Sequence, residues 1–202
     1  MPRRGASLVA LFAGLAGCWG RPPVVWRASK VVTRVMPVVA GRTLDAHFAR
    51  PETPEEILRL NPGIASADKL EDLPDGSTLW LGRSAPIAFG SGVSVTSRMK
   101  FKVVHRPPEM LLEVLEVSQE ATGPAIFTAL IEKMLPKVSS RTSMRQSGDS
   151  LTSDAYLELE LPIPAWLPVP RGQLEKAGPP ILERQLDTDL NSLFDNLCAS
   201  WS

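Results

Sequence analysis

Strict alternation of apolar and polar residues predicts two β-strands, in residues 93–104 and 154–161. A repeat of two residues is typical of a strand that buries one face and exposes the other. The apolar residues that we expect to face inward are Met99, Phe101, Val103, Leu157 and Leu159. Arg98 and Tyr156 fall on the alternate positions, which we expect to face solvent.

Apolar stretches bounded by turn residues indicate three further strands, in residues 77–89, 110–118 and 138–146. In the first of these strands we expect two side chains to face inward, Leu79 and Leu81. The last strand is predicted to form a hairpin with residues 154–161. The middle of the chain is therefore predicted to be an antiparallel sheet.

A long amphipathic helix is predicted at the C-terminus, beginning after Pro179 and Pro180. Apolar residues recur there at helical spacing along one face. This stripe consists of Leu182, Leu186, Leu190, Leu193, Phe194, Leu197 and Trp201. Residues 161–170, just before this region, contain four prolines and are predicted to be a rigid connector.

Shorter helices are predicted in residues 53–60 and 124–135. The first begins with Thr53, a proline and, three residues after the threonine, a glutamate, which is the pattern of a capping box. The second has apolar residues at helical spacing. Residues 44–49, which include Phe48, fit a short strand or a helical turn about equally well.

The N-terminal region is predicted to contain a targeting presequence. A basic start and an apolar run in residues 6–18 are typical of a secretory signal, and the run is shorter than the roughly 20 apolar residues of a membrane span. Residues 21–42 are basic, contain no acid and are similar to a transit peptide. We predict a presequence in residues 1–25, with an upper limit at residue 43, followed by one domain in residues 26–202. The boundary stays open, because residues 31–36 are rich in β-branched residues and also fit a strand of the folded domain.

Such a two-part presequence is carried by proteins imported into the secondary plastids of algae, so it predicts a plastid location. Two alternatives stay open. Residues 15–18, Leu-Ala-Gly-Cys, also match a bacterial lipobox, in which Cys18 would carry a lipid. The basic segment could instead be a tail without a targeting role.

The balance of charge argues against a nucleic-acid-binding protein. Seven of the 22 basic residues precede the first acidic residue, Asp45, so a chain without this segment would carry 15 basic and 22 acidic residues. Binding to phosphates requires a basic surface. The apolar content of 44% and the charged content of 22% are those of an ordinary globular protein.

No residue pattern predicts a metal site, a cofactor or a catalytic site. His47 and His105 are the only histidines, and Cys198 is the only cysteine outside the predicted presequence. They are too far apart in the chain for a zinc-ligand motif, and no phosphate loop or nucleophile elbow is present. We therefore expect the two histidines to be structural or solvent-facing, and Cys198 to be a small buried residue.

Basic residues on the polar side of residues 93–104 suggest two alternatives, an anion site or ion pairs across strands. These residues are Arg98, Lys100 and Lys102, with Arg141 and Arg145 on a neighbouring strand. Glutamates at 113, 116, 158 and 160 are available as partners. We predict paired surface charges, because opposite charges on adjacent strands stabilise a sheet.

The order of elements resembles the helix-grip fold of START, polyketide-cyclase and birch-pollen-allergen proteins, an α+β fold in which a curved antiparallel sheet wraps a long C-terminal helix. The C-terminal third is more specific. Tyr-Leu-Glu-Leu-Glu-Leu-Pro-Ile-Pro at 156–164, Leu-Pro-Val-Pro at 167–170 and the leucine-rich helix ending in Trp201 resemble an uncharacterised family of START-like (SRPBCC) proteins of cyanobacteria and plastid-bearing eukaryotes. That family supplies no catalytic motif.

A second resemblance covers residues 43–81. Asn-Pro-Gly at 61–63 and Leu-Pro-Asp-Gly-Ser-Thr-Leu at 73–79 are similar to a glycan-binding LysM module. On this alternative, residues 43–81 would form a separate small unit.

The START-like resemblance implies a non-catalytic protein with an apolar cavity between sheet and helix, suited to a lipid, an isoprenoid or a pigment. The predicted ligand-binding residues are Phe48, Leu79, Leu81, Met99, Phe101, Val103, Leu157, Leu159, Leu190 and Phe194. If the sheet packs directly on the helix, the same residues form a filled core, and the alternative is an assembly or scaffolding factor for a thylakoid-associated complex.

A third alternative, a cyclase or lyase, requires polar residues such as Arg98 or Tyr156 to face inward. An exposed tip at residues 165–167 could contact a membrane or a protein partner.

Overall fold

The computed structural model describes residues 22–90, 93–125, 128, 136–163 and 170–201. The strands are β1 (Val24–Val35), β2 (Ser66–Asp72), β3 (Thr78–Arg83), β4 (Ile87–Gly90), β5 (Val93–Arg106), β6 (Glu109–Thr122), β7 (Lys137–Ser147) and β8 (Ser150–Leu161). The helices with bounds inside these ranges are α1 (Leu44–Phe48), α2 (Thr53–Leu60) and α3 (Arg171–Trp201).

All strands join one antiparallel sheet in the order β1-β8-β7-β6-β5-β3-β2, and β4 pairs with β5. The face on which α3 packs is called the inner face here. On it, Phe101 lies opposite Trp80 of β3 and opposite Val114 of β6. Its neighbour Lys100 lies opposite Leu81 and Glu116 on the outer face. Strand β5 therefore has one apolar face and one basic face here, as its alternation predicted.

Two strands lie in segments without clear alternation, although the β-branched residues at 31–36 indicated a strand in the second of them. β2 is exposed along almost its whole length, and an edge strand without a buried face needs no alternation of apolar residues. β1 occupies most of the segment that resembles a transit peptide, and it pairs with β8 over twelve residues. A presequence that reached residue 43 would include this strand.

The two short helices α1 and α2 connect β1 to β2. Residues 44–48 are helical, and the Thr43 side chain caps α1 by accepting a hydrogen bond from the Ala46 amide at 3.2 Å. The capping box predicted for α2 is wrong. Its N-cap residue is Glu52, whose side chain makes no capping bond, and the buried Thr53 hydroxyl donates to the His47 carbonyl at 2.7 Å. Thr53 therefore ties α2 to α1.

Helix α3 is longer than the sequence predicted, because it begins at Arg171 and continues through Pro179 and Pro180. Proline removes a backbone donor and disfavours the helix interior. Contacts with the residues just before β1 compensate for the missing helical hydrogen bonds. The Arg171 guanidinium donates to the carbonyls of Pro22 and Pro23 at 2.9 and 3.0 Å. Within the described ranges, no helix combines the length and apolarity that a bilayer span requires.

The apolar stripe of α3 is buried, as predicted, and contributes to two packed clusters. The first joins the C-terminal half of α3 to α1, α2 and the adjacent ends of the strands. Its members include Met36, Phe48, Leu58, Trp80, Phe101, Val103, Met144, Phe194 and Trp201. The second cluster joins the middle of α3 to β1 and β8. It consists of Ala28, Ala155, Leu182, Leu186 and Leu190, with Trp26, Leu157 and Leu159 against it.

The architecture confirms the predicted fold class, an α+β fold in which a curved antiparallel sheet packs around a long C-terminal helix. Residues 43–81 form no separate module, because β3 pairs with β5 and so belongs to the same sheet as the rest of the chain. Of the helix predicted at 124–135, only residues 124, 125 and 128 are described, and the tip predicted at 165–167 lies outside the described residues.

Candidate functional site

The inner face of the sheet divides into a closed half and an open half. In the closed half, Phe48, Phe101, Val103 and Phe194 retain only 0–2% of their surface exposed. A side chain beside a water-sized gap would keep accessible surface, so these residues pack directly against other protein atoms. The sequence-predicted residues in this half form a filled core.

In the open half, inward-facing side chains of β5 to β8 are only partly buried. We call this region the open inner surface, and it consists of Met99, Leu112, Val114, Val117, Val138, Ser140, Thr142, Leu157 and Leu159. The strand register makes it continuous, because Thr142 lies opposite Leu112 on one side, and Ser140 lies opposite Leu157 on the other. Solvent reaches these side chains, in contrast to those of the closed half.

The chemistry of the open inner surface is apolar with isolated hydroxyl groups. Among the described inward-facing positions of β5 to β8, none carries Asp, Glu, Lys or Arg. Ser140 and Thr142 are the polar side chains within the defined set, and each can donate one hydrogen bond. Such a surface suits a largely apolar ligand that carries a hydroxyl or carbonyl group.

The structure places the predicted ligand-binding residues in three different settings. Met99, Leu157 and Leu159 lie on the open inner surface, and Leu190 lies beside it in the second cluster. Four others, Phe48, Phe101, Val103 and Phe194, belong to the closed half. Leu79 and Leu81 lie on the outer face of the sheet.

The prediction that Leu79 and Leu81 face inward is wrong. They lie opposite Lys102 and Lys100, which are on the outer face, whereas Trp80 faces inward and is 4% exposed. Three consecutive large apolar residues give no alternation, so the sequence alone did not identify the buried one. Gly82 leaves room for the Phe101 ring beside Trp80, since a Cβ atom there would approach the ring to 2.5 Å.

Four of the five basic residues form ion pairs, as predicted, but only Lys100 pairs with one of the glutamates predicted for that role. Lys100 Nζ lies 2.9 Å from Glu116, and Arg98 lies 3.5 Å from Glu120. Tyr156 also faces outward, where its hydroxyl donates to Glu158 at 2.7 Å. This bond, together with one from Arg27, holds the pKa of Glu158 below its usual value.

Both histidines make structural contacts. The His105 ring nitrogen Nε2 lies 2.8 Å from the Phe48 carbonyl oxygen. The His47 ring packs edge-on against Trp201 with centroids 4.5 Å apart, and burial together with Arg50 lowers its pKa. In the described part of the chain, no group of three or more His, Cys, Asp or Glu side chains is placed to hold a metal ion.

A surface pocket of about 400 Å³ lies between α1 and the end of α3. Its charged and aromatic lining residues are Arg42, His47, Arg50, Glu56 and Trp201. Both guanidinium groups already have partners, because Arg50 lies 2.5 Å from Glu56 and Arg42 donates to the Trp201 carbonyl at 3.2 Å. Of these two arginines, only Arg50 is compensated by a carboxylate among the described residues, because the Trp201 carbonyl is neutral.

No protein-family model matches the chain, and no curated protein matches it in sequence. Solved structures with a similar fold include a protein from Thermus thermophilus, with 13% sequence identity and a TM-score of 0.48. The match covers 88% of this chain and 99% of that chain. Others are a START superfamily protein from Mycobacterium smegmatis (16%, 86% and 95%, TM-score 0.43) and the Zhui aromatase/cyclase from a Streptomyces species (12%, 87% and 90%, TM-score 0.42). At such low identity, neither a ligand nor a reaction is transferred from these proteins to this chain.

Proposed function

We propose that the protein binds a hydrophobic small molecule, such as a lipid, an isoprenoid or a pigment, without transforming it. The observation that carries this proposal is the open inner surface, where apolar side chains of four adjacent strands remain accessible and none of the described inward positions is charged. Burying such a surface against an apolar ligand is favourable by about 25 cal/mol per Å² removed from water. The ligand-binding residues are then Met99, Leu157 and Leu159, with Ser140 and Thr142 as hydrogen-bonding groups.

A second candidate function is that of an assembly or scaffolding factor for a thylakoid-associated complex. The packing of the closed half supports it, because Phe101 and Phe194 leave no room for a ligand there. A partner protein would then cover the open inner surface. The candidate cyclase or lyase has less support, since Arg98 and Tyr156, the polar residues considered for it, face outward.

The first test is native mass spectrometry, with organic extraction, of the protein purified from the organism that makes it. A stoichiometric lipid, isoprenoid or pigment supports the binding function and identifies the ligand class. Protein that carries no small molecule, but co-purifies with one specific protein in fixed ratio, supports the scaffolding function instead.

Two matched substitutions on β7 locate the binding surface. Ser139 and Ser140 are neighbours with the same side chain, but Ser140 faces inward and Ser139 is exposed on the outer face. We expect Ser140→Phe to weaken binding of the neutral dye Nile red at least about tenfold. Ser139→Phe should leave binding unchanged. Equal effects of the two substitutions would place the dye elsewhere, and near-ultraviolet circular dichroism checks that both variants fold.

We propose that the protein acts in a plastid and belongs to the START-like family of cyanobacteria and plastid-bearing eukaryotes that its C-terminal third resembles. The basic, acid-free start of the chain supports this location. A fluorescent fusion of residues 1–44 should enter the plastid of an alga with a secondary plastid. Secretion into the medium would contradict the two-part presequence, and membrane attachment through Cys18 in a bacterium would support the lipoprotein alternative.

A further inference from the structure

Helix α3 has two flanks of different character on either side of its buried stripe. On the first flank, Asp187 forms an ion pair with Lys30 of β1 at 2.8 Å. Asn191 and Asp195, on the same flank, contact Arg34 at 3.0 and 3.3 Å. This flank therefore lies along β1, the edge strand of the sheet.

The second flank carries Asp189. This residue follows Leu182 by seven positions and Leu186 by three, and it precedes Leu193 by four, so it lies beside these buried leucines. The helical repeat places it on the opposite side of the stripe from Asp187 and Asn191. Because β1 is followed by β8, β7 and β6 across the sheet, this flank is directed toward the open inner surface.

Asp189 differs from the carboxylates of the first flank because no cation among the described residues pairs with it. Asp187 and Asp195 lie beside Lys30 and Arg34. Asp189 is partly buried, and its hydrogen bond is with the Gln185 amide at 2.8 Å. Among the described residues, no Lys, Arg or His forms an ion pair with it. Burial raises the pKa of this carboxyl, since desolvation disfavours its ionised form.

We propose that Asp189 is a specificity residue that binds the ammonium group of an amphipathic amine whose apolar chain lies on the open inner surface. The proposal rests on the binding function proposed above and narrows its ligand class. A carboxylate removed from water without a counter-charge is stabilised most by a cation, and charge-assisted hydrogen bonds are roughly twice as strong as neutral ones. Gln185 holds the carboxylate in place by donating to it from the same helix.

The test compares three ligands with one chain length and different head groups. Decylamine, decan-1-ol and decanoate are each titrated against the full chain, with displacement of Nile red as the readout. We expect decylamine to displace the dye at a concentration at least about tenfold below that of the alcohol, and decanoate to be the weakest of the three.

Two substitutions on α3 separate a specific contact from general attraction to an acidic protein. Asp189→Asn should abolish the preference for the amine while leaving the affinity for the alcohol unchanged. Glu183→Gln removes the same charge from an exposed position of the same helix, and it should keep the preference.

The proposal is overturned if the full chain binds amine and alcohol equally, or if Asp189→Asn retains the preference. In either case the binding function still stands, because the apolar ligands displace the dye. If neither Nile red nor any of the three ligands binds, the binding function fails, and the role of Asp189 fails with it.

Discussion

The indole ring of Trp26 lies against Gly178, where β1 meets the first half of α3. A Cβ atom at position 178 would come within 2.0 Å of the ring atom Cδ2. The Trp26 Nε1 group also donates to the Leu174 carbonyl at 2.9 Å, one turn earlier in the helix. Gly178 precedes two prolines, so the contact supports α3 at the point where its own hydrogen bonding is weakest.

Replacing Gly178 by alanine should therefore destabilise the protein. The new methyl group would overlap the indole ring, and overpacking of this kind costs about 1–3 kcal/mol. Urea unfolding followed by tryptophan fluorescence measures the effect. Gly172 provides the control, because it lies in the same helix and a Cβ atom at this position would meet no other atom within 4 Å. Gly172→Ala should be neutral or stabilise by up to about 1 kcal/mol, and equal losses in both variants would contradict the role of the Trp26 contact.

The sequence predicted those strands in which one face is apolar and the other is charged. In β5, Met99, Phe101 and Val103 alternate with basic residues, so only one orientation buries no charge. In β3, Leu79 to Leu81 are all apolar, and the buried residue is decided by the partner strand, where Phe101 lies opposite Trp80. That information is not local to β3. It depends on which strand pairs with it and in which register.

The length of α3 was likewise decided by distant contacts. Pro179 and Pro180 indicated a helix boundary, and local propensity supports that prediction. Trp26 and the Arg171 contacts with residues 22 and 23 extend the helix upstream of the prolines. The sequence did not single out Asp189 for the same reason. Whether a basic side chain lies beside this carboxylate depends on how the sheet and the helix pack together.

Ser153 is fully buried on the inner face of β8, and its hydroxyl has no hydrogen-bond partner among the described residues. Removing a buried hydroxyl that makes no hydrogen bond is nearly neutral or stabilising. Removing one that is hydrogen-bonded leaves its partner unpaired. We expect Ser153→Ala to change the free energy of unfolding by less than about 0.5 kcal/mol, or to increase it.

The contrasting variant is Ser77→Ala. Ser77 is equally buried, but its hydroxyl donates to the Asp75 carboxylate. Its removal should cost about 1–3 kcal/mol. Chemical denaturation of the two variants under identical conditions gives the comparison, and a larger loss for Ser153→Ala would show that its hydroxyl binds a group such as an internal water.

Strand β1 should be required for folding. Val24 is 0% exposed, Ala28 is 5% exposed, and the strand pairs with β8 over its whole length. A protein of residues 22–202 is expected to unfold cooperatively. A shorter protein of residues 44–202 would lose this pairing and expose the second cluster. It should therefore be insoluble or lack a cooperative unfolding transition. Cooperative unfolding of the shorter protein would show that a presequence can extend to residue 43 without loss of the fold.

The carboxyl of Asp189, which has no ion-pair partner among the described residues, should reduce stability at neutral pH. Its pKa is raised in the folded state, so the ionised form is disfavoured by folding, while the protonated form is not. Asp189→Asn keeps an oxygen that can accept from Gln185 and removes the charge. We expect it to stabilise the protein at pH 7 by at most about 1 kcal/mol, because the carboxyl is partly exposed and solvent screens it.

This gain should depend on pH in one direction. As the pH falls through the folded-state pKa toward the ordinary value for an aspartate, the wild-type carboxyl becomes protonated and its penalty disappears, so the two proteins should converge. Carboxylates with lowered pKa, such as Glu158, titrate in both proteins and cancel in the difference. Thermal unfolding of both proteins from pH 7 to pH 3.5 measures that difference. A gain that persists at low pH would assign the effect to packing, and a loss of stability at pH 7 would mean that Asp189 makes a stabilising contact.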